Sequence, residues 1–260
     1  SVGASIGIAL GNTDGKNALE LMQAADLALY SAKSEGRGDY SFYNPGMHAA
    51  VLARRALELE LRQAVNKEQF EVHYQPIVDI NSRKVAGYEA LVRWRHPERG
   101  IVLPAEFIPL AEETGLIVPI GEWVLRAACA EGARWPDNVE VAVNVSPIQF
   151  RTPGLVKNVF SALTAAGLPP HRLELEITET ILLQDSESTL AMLHQLRALG
   201  VRIAMDDFGT GYSSLSYFRS FPFDKIKIDR SFVQGLSEGR SSLAILRAIA
   251  SLADSLKITT

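Results

Sequence analysis

The chain has 260 residues, of which 47% are hydrophobic and 22% are charged, and its formal net charge is −4. This length suits one (β/α) barrel, or one and a half smaller domains. The acidic balance argues against a protein that coats long nucleic acid, which needs a basic face, but it permits a small phosphate-bearing ligand held by a few local cations.

The single cysteine, Cys129, lies in an apolar helical pattern and is predicted to be a core residue rather than a nucleophile. The sequence has no disulfide framework, no signal peptide and no apolar run long enough to span a bilayer. These features predict a cytoplasmic protein. They leave open whether a parent protein is tethered to the inner membrane by a region outside this chain.

Residues 1–46 have the pattern of a strand, a helix and a second strand, and this piece is too small to hold a core alone. A break at Asn44-Pro45-Gly46 precedes a helical pattern, so residues 47–68 are predicted to form a helix that connects two domains. The chain begins inside an apolar strand and stops where a new strand begins. We therefore expect a piece of a longer protein, whose upstream sensor domain the sequence does not identify.

From residue 69 onward, predicted strands alternate with predicted helices. The strands are expected at 70–78, 85–93, 139–145, 172–178, 201–206 and 223–228. The helices are expected at 104–113, 121–135, 154–166, 187–199, 212–219 and 241–256. A short link between the first two strands predicts an antiparallel hairpin, and the later alternation predicts a parallel sheet.

This pattern predicts an α/β fold, a TIM-like (β/α) barrel with an antiparallel first strand and a truncated C-terminus. The alternative is an open doubly wound sheet, although its glycine-rich phosphate turn after the first strand is missing.

Polar residues recur at every second position of the predicted strands, although parallel strands are usually apolar on both faces. The residues on one face of each strand can pack under helices. The residues that alternate with them (the other parity of the strand) then point toward the barrel axis. The inward set contains Glu89, Asn144, Glu176, Asp206 and Lys227. Several buried carboxylates beside one lysine would be costly, whereas an all-oxygen ligand set suits Mg²⁺, Mn²⁺ or Ca²⁺. An antiparallel sheet with one solvated face is the alternative explanation.

Asp206 and Asp207 stand side by side where an apolar run ends, just before Gly209-Thr210-Gly211. If Asp206 faces inward, Asp207 must already turn into the loop to serve the same site. Two ionised carboxylates this close repel each other unless a cation holds them. Two metals beside Lys227 would favour hydrolysis of a phosphate ester, and Arg93 could grip a phosphate. A solvated Asp-Asp turn before a helix cap is the simpler alternative.

Five ordered motifs together resemble the EAL domain family. They are Glu89-Ala90-Leu91 with Val92-Arg93-Trp94, Asn144-Val145-Ser146, Glu176-Ile177-Thr178-Glu179, Asp206 to Ser214, and Lys227-Ile228-Asp229. The resemblance covers the chain from about Met47 to Thr260. It implies a TIM-like barrel that hydrolyses cyclic di-GMP to linear pGpG with two Mg²⁺ or Mn²⁺ ions, is inhibited by Ca²⁺, and forms a homodimer through this domain.

The resemblance also implies a role for each matching residue. Glu89, Asn144, Glu176 and Asp206 would bind the first metal, and Asp206 and Asp207 would serve the second. Lys227 would contact the nucleophilic water, Gln75 and Arg93 would lie near the substrate, and the loop would be supported by Glu179, Gly209, Thr210 and Gly211. The family has a further metal-binding Glu just past strand seven and a later Gln, and this chain ends before both. We therefore expect an EAL domain at 69–260 without its C-terminal strands, whose second metal site is incomplete and whose own activity is in doubt.

Residues 1–46 resemble the C-terminal end of a GGDEF (diguanylate cyclase) domain, through Ser5-Ile6-Gly7-Ile8 and the run from Ala25 to Arg37. The signature that names that family is absent, so nothing here predicts cyclase activity. Two alternatives to hydrolysis stay open for the larger domain: a non-catalytic receptor for cyclic di-GMP, and an interaction module.

Overall fold

The computed structural model of the chain describes residues 3–34, 38–181, 186–209, 221, 223–234 and 240–260. The chain divides into two compact units, Ser1–Gln63 and Ala64–Thr260. Among the described residues, no helix combines the length and the apolar character that crossing a membrane requires. The helix predicted at 212–219 lies outside the described residues.

The first unit contains strand β1 (Ile6–Ile8), helix α1 (Ala18–Ser34) and strand β2 (Tyr40–Phe42), and most of helix α2 (Gly46–Asn66). β1 and β2 pair in parallel, with α1 as the connection between them. A Cβ atom at Gly7 would lie 2.0 Å from the backbone oxygen of Ala25, so β1 can approach α1 only with glycine at this position. The predicted order of strand, helix and strand is confirmed.

The second unit is built on one sheet. Its strands are β3 (Phe70–Val78), β4 (Val85–His96), β5 (Gly100–Val102), β6 (Glu140–Val145), β7 (Leu173–Thr178), β8 (Arg202–Phe208) and β9 (Lys225–Ile228). Its described helices are α3 (Pro104–Thr114), α4 (Ile117–Gly132), α5 (Pro147–Arg151), α6 (Leu155–Ala166), α7 (Ser186–Ala198), α8 (Arg230–Gln234) and α9 (Arg240–Leu256). Short 3-10 turns at Pro170–Arg172 and Glu179–Ile181 flank β7.

The strands follow one another across the sheet in the order β3-β4-β6-β7-β8-β9, and β5 pairs with the other end of β4. β3 pairs antiparallel with β4, and each later step from β4 to β9 is parallel. The parallel steps rule out the antiparallel sheet with one solvated face. In a doubly wound sheet the strand order reverses direction part of the way across the sheet. Here the order never reverses, which is typical of a barrel.

Several predicted boundaries were wrong by a few residues. β4 runs three residues beyond 93 because its end pairs with β5, a three-residue strand that was not predicted. α4 covers Ile117–Gly132 rather than 121–135, and β9 begins at Lys225 rather than 223. The short helices α5 and α8 were also not predicted, because five residues are too few to show a helical period.

The alternating pattern of β6, β7 and β8 places one apolar face in the core. Val143 is 2% exposed, and both Leu175 and Ile203 are fully buried. These residues belong to the parity predicted to pack under helices, so the opposite parity is left to form the inner face. The side chains that matter for function are therefore positioned by the register of the strands.

Arg172 fixes the start of β7 from inside the protein. Its side chain is 3% exposed, and its guanidinium donates hydrogen bonds to the carbonyl oxygens of Val139, Gly132 and Trp135. One charged fork therefore joins the end of α4, the segment before β6 and the beginning of β7.

We expect Arg172→Ala to lower the free energy of unfolding by roughly 3 kcal/mol, because buried carbonyl oxygens would lose charged donors. Urea denaturation measures this loss. Arg134→Ala is the matched control, since the Arg134 side chain is 76% exposed and pairs with Glu131 three residues earlier. It should change stability by less than about 1 kcal/mol. Equal losses in both variants would contradict the role assigned to Arg172.

Candidate active site

The ammonium of Lys227 lies among three carboxylates on the inner face of the sheet. Its Nζ atom is 2.6 Å from Glu176 Oε2, 3.1 Å from Asp206 Oδ2 and 3.2 Å from Glu89 Oε2. Asn144 completes the group by donating from Nδ2 to Glu89 Oε1 at 2.8 Å. The structure therefore brings together the five residues that strand parity assigned to one centre.

The register explains why these residues meet. Asn144 lies opposite Glu176 in the β6–β7 pair, and Glu176 lies opposite Ala204 in the β7–β8 pair. Ala204 in turn lies opposite Lys225 in the β8–β9 pair. Because the side chain of Ala204 is small, long side chains from β9 have room to reach across β8 to β7 on this face.

Two lysine–glutamate pairs use this space. Lys227 reaches Glu176, and one step toward the amino end of the strands Lys225 Nζ contacts Glu174 Oε1 at 2.6 Å. Glu174 and Glu176 are both about 1% exposed. The lower pair was not predicted as a cluster, although strand parity placed both of its residues on the inner face.

The electrostatics of the site follow from burial and from an excess of negative charge. Burial raises the pKa of Glu176 to about 8; Lys227 opposes this rise, and the Glu89 and Asp206 charges add to it. Burial alone would lower the pKa of Lys227, but the same carboxylates hold it above its ordinary value. The ammonium therefore stays charged, and it is shared by more carboxylates than it can neutralise.

The backbone of β8 changes direction at the adjacent aspartates. The register of β8 with β9 shifts between Met205 and Phe208, and Asp207 adopts a left-handed φ of 52°. Such a bulge re-aims the side chains that follow it, so that Asp206 and Asp207 need not point to opposite faces. Burial and the neighbouring Asp206 and Asp229 charges raise the pKa of Asp207. The predicted strand end at 206 was wrong, because β8 continues to Phe208, which pairs with Ile228, and Asp207 lies in a bulge of the strand rather than in the loop.

The loop residues are partly described. Gly209 has a φ of 98°, and a Cβ atom there would lie 2.8 Å from the ring of Phe232 in α8, so glycine is required both by conformation and by space. Glu179 is 4% exposed and lies in the 3-10 turn directly after β7. Thr210 and Gly211 lie outside the described residues.

The two residues predicted near the substrate lie on the first hairpin. Gln75 is exposed and stands opposite Glu89 in the β3–β4 pair. Arg93 lies four residues beyond Glu89 on the same parity of β4, is half-buried, and donates from Nη1 to the backbone oxygen of Val92 at 2.9 Å. Both therefore belong to the strands that carry the site, but neither contacts its carboxylates through a described hydrogen bond.

An apolar slot of about 400 Å³ opens beside Asn144. Its walls come from β4, α3, α4 and the end of β6, with apolar lining from Ala90, Val92, Pro104, Ile108, Pro109 and Val145. Polar groups of Glu112, Asn144 and Thr178 also reach it. Most of this lining belongs to the strand face that packs under the helices, and Glu89, Glu176 and Asp206 do not line the slot.

The donor set fits divalent cations. The Glu176 Oε1 atom is buried and has no hydrogen-bond partner among the described residues. Carboxylate and amide oxygens of this kind are ligands for hard cations. Within the described part of the chain, no three His, Cys, Asp or Glu side chains form a group that could hold a metal as they stand. The Lys227 ammonium lies among the carboxylates of Glu89, Glu176 and Asp206. The residues can therefore supply the ligands once the carboxylates rearrange around a cation.

A network missed by the sequence predictions holds the end of β6. Ser146 is the N-cap of α5, and its backbone N–H donates to Gln149 Oε1 at 3.1 Å while its hydroxyl accepts from the N–H of Ile148. The same hydroxyl donates to Glu112 Oε1 at 2.6 Å. The pattern Ser-Pro-Ile-Gln is the sequence signature of a capping box with proline at its first helical position, and it could have revealed this network.

Comparison with known proteins gives a consistent result. The sequence model of the EAL domain matches residues 58–260. An uncharacterised signalling protein of Caulobacter vibrioides is 51% identical over 99% of this chain and 32% of its own length. The bifunctional diguanylate cyclase/cyclic di-GMP phosphodiesterase MucR of Pseudomonas aeruginosa is 45% identical over 99% of this chain and 38% of its own length. The chain thus spans about a third of the length of these curated relatives.

A solved structure of the PaMucR phosphodiesterase in complex with c-di-GMP superimposes with a TM-score of 0.75 and 45% sequence identity. The superposition covers 78% of this chain and 84% of that one.

We expect Lys227→Met to destabilise the protein by about 3 kcal/mol in the absence of divalent cations, because three carboxylates would lose the one ammonium that they share. Mg²⁺ should restore part of the lost stability, because its positive charge can replace that of the ammonium. Urea denaturation with EDTA and with Mg²⁺ measures both effects, and Lys84→Met, at an exposed position, is the control. An equally stable Lys227→Met variant in EDTA would contradict the electrostatic description of the site.

Proposed function

This chain belongs to the EAL domain family, and from that premise we propose that it hydrolyses the second messenger cyclic di-GMP to linear pGpG. The observation that carries the proposal is the group formed by Lys227, its three carboxylate partners and Asn144. Such a group combines oxygen ligands for cations with a fixed positive charge, which are the elements that phosphodiester hydrolysis needs. The similarity to MucR and to the c-di-GMP complex of PaMucR supports the choice of substrate.

In this reaction, water adds to one phosphorus of the ring, and the bond from that phosphorus to a ribose oxygen breaks. The leaving oxygen takes up a proton, and the product is a linear dinucleotide with a terminal phosphate. Glu89, Asn144, Glu176 and Asp206 would hold one divalent cation, and Asp206 with Asp207 a second. Bound cations would neutralise phosphate charge and make the attacking water more acidic.

The protein's own groups position the reactants. The Lys227 ammonium would donate a hydrogen bond to the attacking water and orient it toward phosphorus. Arg93 would bind a phosphate oxygen if its guanidinium exchanged the Val92 carbonyl for the substrate. Gln75 lies on β3, opposite Glu89 of β4, and would contact the substrate from that strand.

The remaining features of the proposal rest on the family and on the same chemistry. Oxygen ligands suit Mg²⁺, Mn²⁺ and Ca²⁺ alike, and the resemblance to the EAL family implies that Mg²⁺ or Mn²⁺ is the active cation and Ca²⁺ an inhibitor. Barrel closure, a homodimer formed through this domain and a cytoplasmic location stay predictions. The assignment of residues 1–46 to a GGDEF domain is supported by MucR, which aligns with 99% of this chain and is named as a diguanylate cyclase as well as a phosphodiesterase.

We expect Glu89→Ala to reduce cyclic di-GMP turnover at least about 100-fold while the urea unfolding curve keeps its shape, since Glu89 contacts both Lys227 and Asn144. Turnover is measured with Mg²⁺ on this chain and on a version extended through the further strands that the family has. Glu98→Ala, at an exposed position in the turn after β4, is the control and should keep the parent rate.

Hydrolysis by Glu89→Ala at the parent rate would show that the metal-site assignment is wrong. Binding of cyclic di-GMP in Ca²⁺ without turnover, in the extended protein with Mg²⁺, would instead identify a receptor. Neither binding nor turnover would leave an interaction module.

A further inference from the structure

Ser146, the N-cap of α5, lies two residues after the candidate metal ligand Asn144 and belongs to a network with residues of α3, α4 and α5. Ser146 is bonded to Gln149 of α5 through its backbone and to Glu112 of α3 through its hydroxyl. Because these bonds fix the backbone at the end of β6, they also fix the direction in which Asn144 leaves the strand.

Helix α4 takes part by leaving space for a side chain, not by forming a hydrogen bond. Gly121 lies inside α4, and a Cβ atom added there would come within 2.1 Å of Nε2 and 2.6 Å of Cδ of Gln149. Gly121 therefore forms a recess for the Gln149 amide, which is 7% exposed. Glycine inside a helix is unfavourable by itself, so its presence here has a structural reason that the helix alone does not supply.

We propose that Gly121, Gln149, Ser146 and Glu112 form a positioning network for Asn144, which sets the affinity of the site for its divalent cation. The proposal rests on the proposed function for its metal, and on the described contacts for its geometry. None of the four residues contacts the Lys227 group through a described hydrogen bond, so they act through the backbone between Ser146 and Asn144. Partners of this outer kind commonly alter metal affinity when they are removed.

The network also borders the apolar slot. Glu112, Gly121, Ser146 and Gln149 all line it, as does Asn144. A shift of the cap would therefore move one wall of the slot together with the metal ligand.

The test uses Gln149→Ala, Gly121→Ala and the double variant, with Asn158→Ala as the control. Asn158 donates to Glu122 Oε1 at 2.7 Å and joins α6 to α4 close to the recess, but it has no described bond to the cap. For each single variant of the network we expect the Mg²⁺ concentration that gives half-maximal turnover to rise roughly tenfold. The control should keep the parent value, even if its melting temperature falls.

The melting temperature gives a second readout that does not depend on turnover. Gly121→Ala should lower it in the parent protein, because the new methyl group collides with Gln149. In the Gln149→Ala background the same change should leave the melting temperature unchanged or raise it, because the collision partner is gone and alanine favours the helix. This reversal of sign is specific to a recess built for Gln149.

Either of two results would overturn the proposal. One is an equal loss of melting temperature from Gly121→Ala in both backgrounds. The other is an unchanged Mg²⁺ requirement in Gln149→Ala. If the parent protein shows no turnover, the proposed function fails separately, and the rise of melting temperature with added Mg²⁺ then replaces turnover as the measure of metal affinity. A smaller rise in Gln149→Ala than in Asn158→Ala supports the network, and equal rises refute it.

Discussion

The second unit is organised around a charge imbalance on the inner face of its sheet. One ammonium, that of Lys227, contacts the carboxylates of Glu89, Glu176 and Asp206. Like charges held this close destabilise a folded protein unless a cation compensates them. The fold accepts this cost because its strands are anchored from the other face, by apolar packing under the helices and by the buried fork of Arg172. A site poised to take up divalent cations therefore depends on a rigid frame around it.

Much of this arrangement could be predicted from the sequence because strand parity is a strong constraint. A residue on a strand has only two faces to choose from, and the apolar parity of β6, β7 and β8 identifies the inner one. Once the strands are parallel and consecutive, polar residues near their carboxyl ends must converge. That reasoning assigns Asn144, Lys227 and the three carboxylates to one centre. The contacts of Asn144 with Glu89 and of Lys227 with Glu176 confirm it.

The features that were not predicted depend on local backbone geometry and on contacts between distant segments, which the hydrophobic periodicity of the sequence does not reveal. The left-handed backbone of Asp207 and the register shift beside it are invisible in a run of two aspartates. Strand β5 is three residues long, and it exists because it pairs with β4. The recess at Gly121 involves two segments that are distant in sequence. From the sequence alone Gly121 is only an unfavourable residue inside a helix, and its contact with Gln149 is what explains it. The helix at 212–219 lies outside the described residues and stays a prediction.

The antiparallel direction of β3 determines where the polypeptide enters the sheet. Phe70 pairs with Trp94 near the end of β4, and the backbone oxygen of Gln69 accepts from Arg95 N–H at 2.8 Å, so the chain joins the sheet at the edge toward which the later strands run. A parallel first strand would have moved this point of entry by roughly 25 Å, to the opposite edge. The polypeptide consequently enters the sheet at the edge near which Glu176 and Asp206 lie on β7 and β8.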